Sequence, residues 1–285
     1  MGCLFAGGLA SAGCGVSLLQ RHKPSQNTGM VTIDSADDSN SYRLLLEDKH
    51  SARPIDHLLV CTKANDVVAA IAAIAHRILP GAPLVIAANG MGYLDDISTL
   101  LPANPVYCCL STDGAYRLEP LHIRHAGRGS NLIGSPENRP QPEWLQPWKT
   151  GFLTVDWSPD INAAQWHKLA INCAINPLTA LHRCRNGELA RSKQLAEQVT
   201  SLCEEISSIS AAAGFTRSAG RLRADVMAVI ENTADNRSSM LQDLLAGRET
   251  EINYITGYLL STAQRLDMDA PLNKKLLREV MALEQ

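Results

Sequence analysis

Apolar and polar positions change their rhythm once along the chain. Up to about Asp156, short apolar runs alternate with stretches of helical spacing. His57-Leu58-Leu59-Val60-Cys61 reads as a buried strand and Asn65 to Ile78 as a helix. Pro83 to Ala88 reads as a second buried strand, stopped by Asn89-Gly90. Tyr93 to Leu101 predicts a short helix and Val106 to Leu110 the next strand. Such alternation predicts a mostly parallel sheet with helices on both faces. Leu121 to His125 and Asn131 to Gly134 are two shorter strands, close in sequence and expected to pair antiparallel at one edge. Before all of these, Met1 to Gly13 is rich in small residues, which suits a helix packed tightly on a sheet. Val16 to Leu19 reads as a strand, and polar Ser35 to Ser41 as a turn.

Ser135 to Lys149 holds four prolines with Trp144 and Trp148, and reads as a loop with a short helix. After Trp157 only helical spacing remains, over Ala163 to Arg183, Gly187 to Ala213, Ser218 to Thr233, Met240 to Arg265 and Leu272 to Leu283. The expected architecture is an α/β domain over residues 1–157 and an all-helical domain over 158–285. No internal repeat interrupts this division.

A chain of 285 residues can bury a large core and divide in this way. Its net charge of −3 gives no electrostatic case for nucleic acid or an anionic membrane. No apolar run approaches the ~20 residues that span a bilayer. The small, apolar N-terminus has no preceding basic segment and no convincing cleavage site, so a secretory signal is not expected. The eight cysteines form no Cys-x-x-Cys pair, and most lie in apolar runs. They read as buried thiols in a reducing cytoplasm, which is the expected location. His122 and His125 fall on opposite faces of a strand, and no metal site is expected there or elsewhere.

Candidate chemistry sits on the first long helix of the second half. Lys168, Asn172 and Asn176 are spaced by four, which stacks them on one face with a drift of ~40° per step. Leu169 and Cys173 border this line on one side, Ile171 and Ile175 on the other. So narrow a polar line is either a satisfied seam between packed helices or the wall of a cleft. A desolvated lysine beside amide donors favours the cleft, and suits work on an anionic carbonyl compound.

The first half carries a cofactor signal. The strand at Val16 to Leu19 ends in Gln20-Arg21-His22-Lys23. At the second strand of a dinucleotide-binding unit, an arginine accommodates a 2′-phosphate where a carboxylate favours NAD. The cluster therefore points to NADP, although basic strand ends are also commonly just solvated. The glycine fingerprint that should open the first helix is not present; Gly2 is its only candidate, with no strand before it.

With these residues in hand, the chain resembles the ketopantoate reductase (2-dehydropantoate 2-reductase) family over nearly its whole length. The matching blocks are Leu58 to Ala64 with Lys63, Ala88-Asn89-Gly90-Met91-Gly92, and Trp166 to Ala180 with Lys168, Asn172 and Asn176. They continue with Asn186 to Leu189, Asn236 to Asp243 with Ser239, and Thr250 to Gly257 with Glu251. The resemblance implies a Rossmann-like domain, incomplete at its start, followed by an all-helical domain. It implies NADPH-dependent reduction of ketopantoate to pantoate, in pantothenate and coenzyme A biosynthesis. Lys168 is then the general acid and Glu251 its charged partner. Asn89, Asn172, Asn176, Asn186, Asn236 and Ser239 bind substrate; Gly2, Arg21, Lys63, Asn89 and Glu251 bind NADP(H), with Arg21 at the 2′-phosphate.

Each assignment has a plainer counterpart. Glu251 also reads as a solvated helix charge beside Arg248, Asn89 as a loop cap after a strand, and Ser238 and Ser239 as a helix N-cap. Alternatives for the whole chain are an inactive binding protein or a reductase of another branched 2-oxo acid; a homodimer is an open possibility.

Aligned on Gly2, the chain departs from the family by lacking the first strand and the first two glycines of the phosphate loop. In the usual strand order that strand is central. Each buried aliphatic it would contribute is worth ~1.5–3 kcal/mol, against a typical total stability of ~5–15 kcal/mol. The expectation is a coding sequence that starts further upstream.

Overall fold

The computed structural model describes residues 1–284. They form two compact units: Met1–Ala88 with Tyr93–Ile161, and Asn89–Gly92 with the residues from Asn162 onward.

The first unit runs α1 (Gly2–Ser11), β1 (Ser17–Leu19), β2 (Thr28–Asp34), β3 (Ser39–Glu47), β4 (Leu58–Val60), α2 (Ala64–Ala72), β5 (Leu84–Ile86) and α3 (Leu94–Leu100). It continues with β6 (Val106–Ser111), β7 (Gly114–Glu119), β8 (His122–Gly127), β9 (Asn131–Gly134), α4 (Leu145–Trp148) and β10 (Val155–Trp157). The class is α/β, but the strands make two five-stranded sheets, ordered β1-β3-β2-β8-β7 and β10-β9-β6-β5-β4. Both are mixed. β4, β5 and β6 are parallel, while β2–β3, β7–β8 and β6–β9 are antiparallel.

Two strand expectations need correction. β8 and β9 do not pair with each other: β8 lies between β2 and β7, and β9 between β6 and β10. The short link between them carries the chain from one sheet to the other, which periodicity alone cannot reveal. The hairpin of β2 and β3 was also not foreseen. Only Val31, Ile33 and Leu44 of its apolar residues are fully buried, so its alternation is faint. Its turn does fall at the expected polar segment, where the Ser35 N–H donates to the Asp38 carbonyl at 2.7 Å.

Small residues explain the seating of α1. A Cβ on Gly7 would overlap the end of Ile33, and one on Gly8 would overlap Leu153. Leu4 and Phe5 on the same helix are fully buried, in one core with Val31 and Ile123 of the first sheet and Val85 and Ile133 of the second. The two strand histidines bond different acids: His122 pairs with Asp34 at 2.8 Å and His125 with Asp113 at 2.7 Å.

The second unit contains α5 (Ile161–His182), α6 (Glu188–Arg191), α7 (Lys193–Ala212), α8 (Thr216–Asn232), α9 (Ser239–Leu245), α10 (Ile252–Arg265) and α11 (Pro271–Ala282). Two stretches expected as single helices are broken. Ser192 is extended and its Oγ accepts the Leu195 N–H at 3.4 Å, so α7 begins afresh. Gly247, at φ 62°, follows the end of α9, and α10 starts only at Ile252. The core gathers Trp166, Leu169 and Cys173 of α5 with Leu202, Ile206, Ile255 and Leu259. Among the described residues no helix is long and apolar enough to cross a membrane.

Candidate active site

The break before α10 sets the chemistry of the helical unit. It places Glu251 at the N-cap of that helix, where the backbone dipole favours a carboxylate. Glu251 is only 6 % exposed, and its backbone carbonyl accepts the N–H groups of Tyr254 and Ile255. It is therefore not a solvated charge beside Arg248, whose guanidinium instead pairs with Asp243 at 3.0 Å.

Asn89 reaches Glu251 through an unusual piece of backbone. Gly90 and Gly92 have φ of 80° and 109°, a region that side chains rarely tolerate. A Cβ on Gly90 would also overlap the carbonyl of Tyr254. Freed of both, the loop lies on the first turn of α10, and the Met91 N–H donates to the Tyr254 carbonyl at 2.8 Å. The Asn89 side-chain amide then donates to the Glu251 carboxylate at 3.1 Å. Asn89 is thus more than a loop cap: 162 residues separate it from its partner.

The polar line lies on α5 as expected. Lys168 and Asn172 are half-buried and Asn176 is 7 % exposed. Cys173, beside the line, is fully buried, and that burial pushes its thiol up to about 12. Pro177 sits inside α5 and removes the N–H that would meet the Cys173 carbonyl. The next turn is held by the Thr179 hydroxyl, within 2.9 Å of the Asn176 carbonyl and 2.7 Å of Ser238 Oγ.

Asn186 and Asn236 are also brought together. The Asn186 N–H donates to the Asn236 carbonyl at 3.0 Å, and its side-chain amide to Thr233 at 2.8 Å. Ser238 is the N-cap of α9 and accepts the Leu241 N–H at 3.1 Å. Ser239 follows as an exposed first residue of that helix. The helical unit also has two surface hollows. One, of about 510 Å³, lies along Cys203, Ser207, Arg223 and Met227. The other, of about 230 Å³, is lined by Met91, Phe215, Tyr258 and Arg265.

In the α/β unit, Gly2 opens α1, and a Cβ there would sit 3.8 Å from that of Cys61. Lys63 is the N-cap residue of α2, and its carbonyl accepts the Asp66 N–H at 3.0 Å. Arg21 pairs with the Asp66 carboxylate at 3.3 Å, both side chains being exposed. The structure therefore collects Arg21 and Lys63 around one helix start, a donor set suited to an anionic phosphate. Asp66 was not foreseen as a member; an acid in the first turn of a predicted helix was its only signal.

A Rossmann-like α/β unit with a helical unit bearing lysine, carboxylate and amides defines a class, the two-unit oxidoreductases. The particular family follows from comparison with known proteins. Residues 1–138 match the family model described as ketopantoate reductase PanE/ApbA, and residues 160–284 match the model of its C-terminal part. A 2-dehydropantoate 2-reductase of Vibrio cholerae is 33% identical, with all of this chain and 95% of that protein covered. One from Yersinia pestis is 36% identical over 92% of this chain and 81% of its own. Among solved structures, a D-mandelate dehydrogenase with NADH and anilino(oxo)acetate superimposes with a TM-score of 0.87 at 19% identity, covering 99% of this chain and 94% of that one. That last likeness is one of fold. The chain belongs to the ketopantoate reductase family and is an oxidoreductase of that type.

Proposed function

We propose that this protein reduces ketopantoate to pantoate with NADPH. The observation that carries the reading is the corner formed by Asn89 and Glu251, beside a helix that presents Lys168, Asn172 and Asn176 on one face. NADPH, when bound, supplies the hydride. Arg21 is the residue that would hold its 2′-phosphate, Lys63 is a further residue that would bind the cofactor, and Gly2 opens the helix that would face the pyrophosphate.

The remaining chemistry belongs to the chain. Hydride addition turns the substrate carbonyl oxygen into an alkoxide. In this reading the Lys168 ammonium stabilises that charge and gives the oxygen its proton. Glu251 balances the lysine's charge, and Asn89 holds the Glu251 carboxylate in orientation. Asn172, Asn176, Asn186, Asn236 and Ser239 offer hydrogen bonds to a carboxylate and a hydroxyl without adding net charge.

The test is ketopantoate-dependent oxidation of NADPH, followed at its absorbance, beside a panel of other branched 2-oxo acids. Faster turnover of another acid would replace the substrate but keep the chemistry. An NADPH titration distinguishes an inactive binding protein: cofactor binding without turnover of any acid would favour it.

A further inference from the structure

Arg21 does not stand alone beside the start of α2. Its guanidinium lies 3.3 Å from the Asp66 carboxylate, and the two side chains are 77 % and 51 % exposed. The partners are 45 residues apart and come from different elements, Arg21 just past β1 and Asp66 in the first turn of α2. The backbone is fixed on both sides. The Gln20 N–H, one residue before Arg21, donates to the Glu47 carbonyl at 2.8 Å, and the Glu47 carboxylate is itself held by buried Arg77. The Asp66 N–H donates to the Lys63 carbonyl at 3.0 Å. The two segments therefore bring the charges together, while the exposed side chains remain able to part.

A carboxylate and a phosphate make rival claims on one arginine. A guanidinium offers a single planar fork, which pairs with one anion at a time. A 2′-phosphate on Arg21 would also have the Asp66 anion as a neighbour, and like charges repel until salt screens them. NADH carries a hydroxyl in place of that phosphate. A carboxylate accepts the hydrogen bond of such a hydroxyl, which is how acidic residues favour NAD. Arg21 can then keep its ion pair. The plainer role of Asp66 is that of a first-turn acid complementing the helix dipole. That role bears on stability and not on the choice of nucleotide.

We infer that Asp66 is a specificity-determining residue that narrows the preference of this protein for NADPH over NADH. Arg21 draws the phosphorylated cofactor and Asp66 restrains it, so the pair sets the ratio of the two affinities. The inference rests on the proposed reading that Arg21 faces the 2′-phosphate.

Fluorescence titrations of NADPH and NADH on the full chain test it, with Asp66→Asn, Asp66→Glu and Arg21→Ala beside the wild type, in low and high salt. Asp66→Asn should tighten NADPH binding about three- to tenfold and leave NADH binding unchanged or weaker. The gain should shrink in high salt. Asp66→Glu, which keeps the charge, should hold the wild-type ratio within a factor of about two. An unchanged or lower ratio in Asp66→Asn, with Arg21→Ala still losing NADPH selectively, would overturn the inference and spare the reading beneath it. A shift of the urea midpoint without a change of ratio would do the same and leave Asp66 a structural role. An equal rise in Asp66→Glu would overturn it as well, because charge would not be the cause. Equal losses of both cofactors in Arg21→Ala, or no binding of either by the wild type, would overturn the reading and the inference together.

Discussion

Two corners of the molecule hold predicted site residues by opposite means. At Asn89 and Glu251 the backbone does the positioning: two glycines at positive φ, a helix N-terminus and a main-chain hydrogen bond fix where the amide meets the carboxylate. At Arg21 and Lys63 the backbone supplies a helix start, and an exposed ion pair with Asp66 supplies the rest. Exposed pairs of this kind are worth ~0–1 kcal/mol and are screened by salt. In the proposed reading, the contrast separates a group held for angle from one held for charge. A group that steers a reacting centre needs the first kind of support, and a phosphate clamp can work with the second.

The largest effect is expected at Lys168, the proposed acid on α5. Lys168→Ala should lower kcat by ~10²–10⁴-fold while NADPH still binds. Steady-state rates with a fluorescence titration of cofactor check this. Near-normal kcat in the variant would remove Lys168 from the role of acid. Lys168→Arg should rescue little, since a guanidinium holds its proton too firmly at neutral pH.

Gly90→Ala attacks the backbone rather than the chemistry. It forces a side chain into positive φ and against the Tyr254 carbonyl, so a cost of ~1–3 kcal/mol is expected in urea unfolding. The kcat should fall as the Asn89 amide shifts from Glu251. An unchanged unfolding midpoint and rate would mean the loop is held by something other than this fit.

Arg21→Ala probes the solvated corner. Charge-assisted bonds to phosphate are worth ~1.5–3 kcal/mol, so NADPH affinity should drop ~10–100-fold while NADH affinity barely changes. Equal losses for both cofactors would place the 2′-phosphate elsewhere. The smallest effect is expected at Ser238, whose Oγ caps α9. Ser238→Ala should cost ~1 kcal/mol of stability and leave the Km for ketopantoate within a factor of about two. A larger change in Km would give this end of α9 a part in binding substrate.

The legible part of the fold was its texture. Buried runs such as Leu84-Val85-Ile86 and the four-residue spacing of Lys168, Asn172 and Asn176 carry their structure in local periodicity. What escaped depends on partners distant in sequence. Nothing near Leu121 or Asn131 tells that their strands join different sheets. The helix broken at Gly247 looked continuous because Ile252, Ile255 and Leu259 keep the apolar rhythm of Met240 and Leu241 across the gap. That break moved Glu251 from a helix face to a helix start, so its burial could not be read from spacing. The bond from Asn89 joins residues 162 apart, and in the sequence Asn89-Gly90 signalled only that the preceding strand stops there.

The loop at residues 89–92 also bears on how this protein could be recombined. It is encoded amid the α/β half but belongs to the helical unit, so the chain changes units three times rather than once. A hybrid spliced at a single point after residue 157 would join a foreign Asn-Gly loop to this chain's α10. Tyr254 and Gly90 would then come from different parents. Grafts that carry residues 89–92 along with the helical segment should outperform single-junction hybrids, even where the latter share more sequence overall. In this chain the four-residue loop has to travel with the helix it packs on.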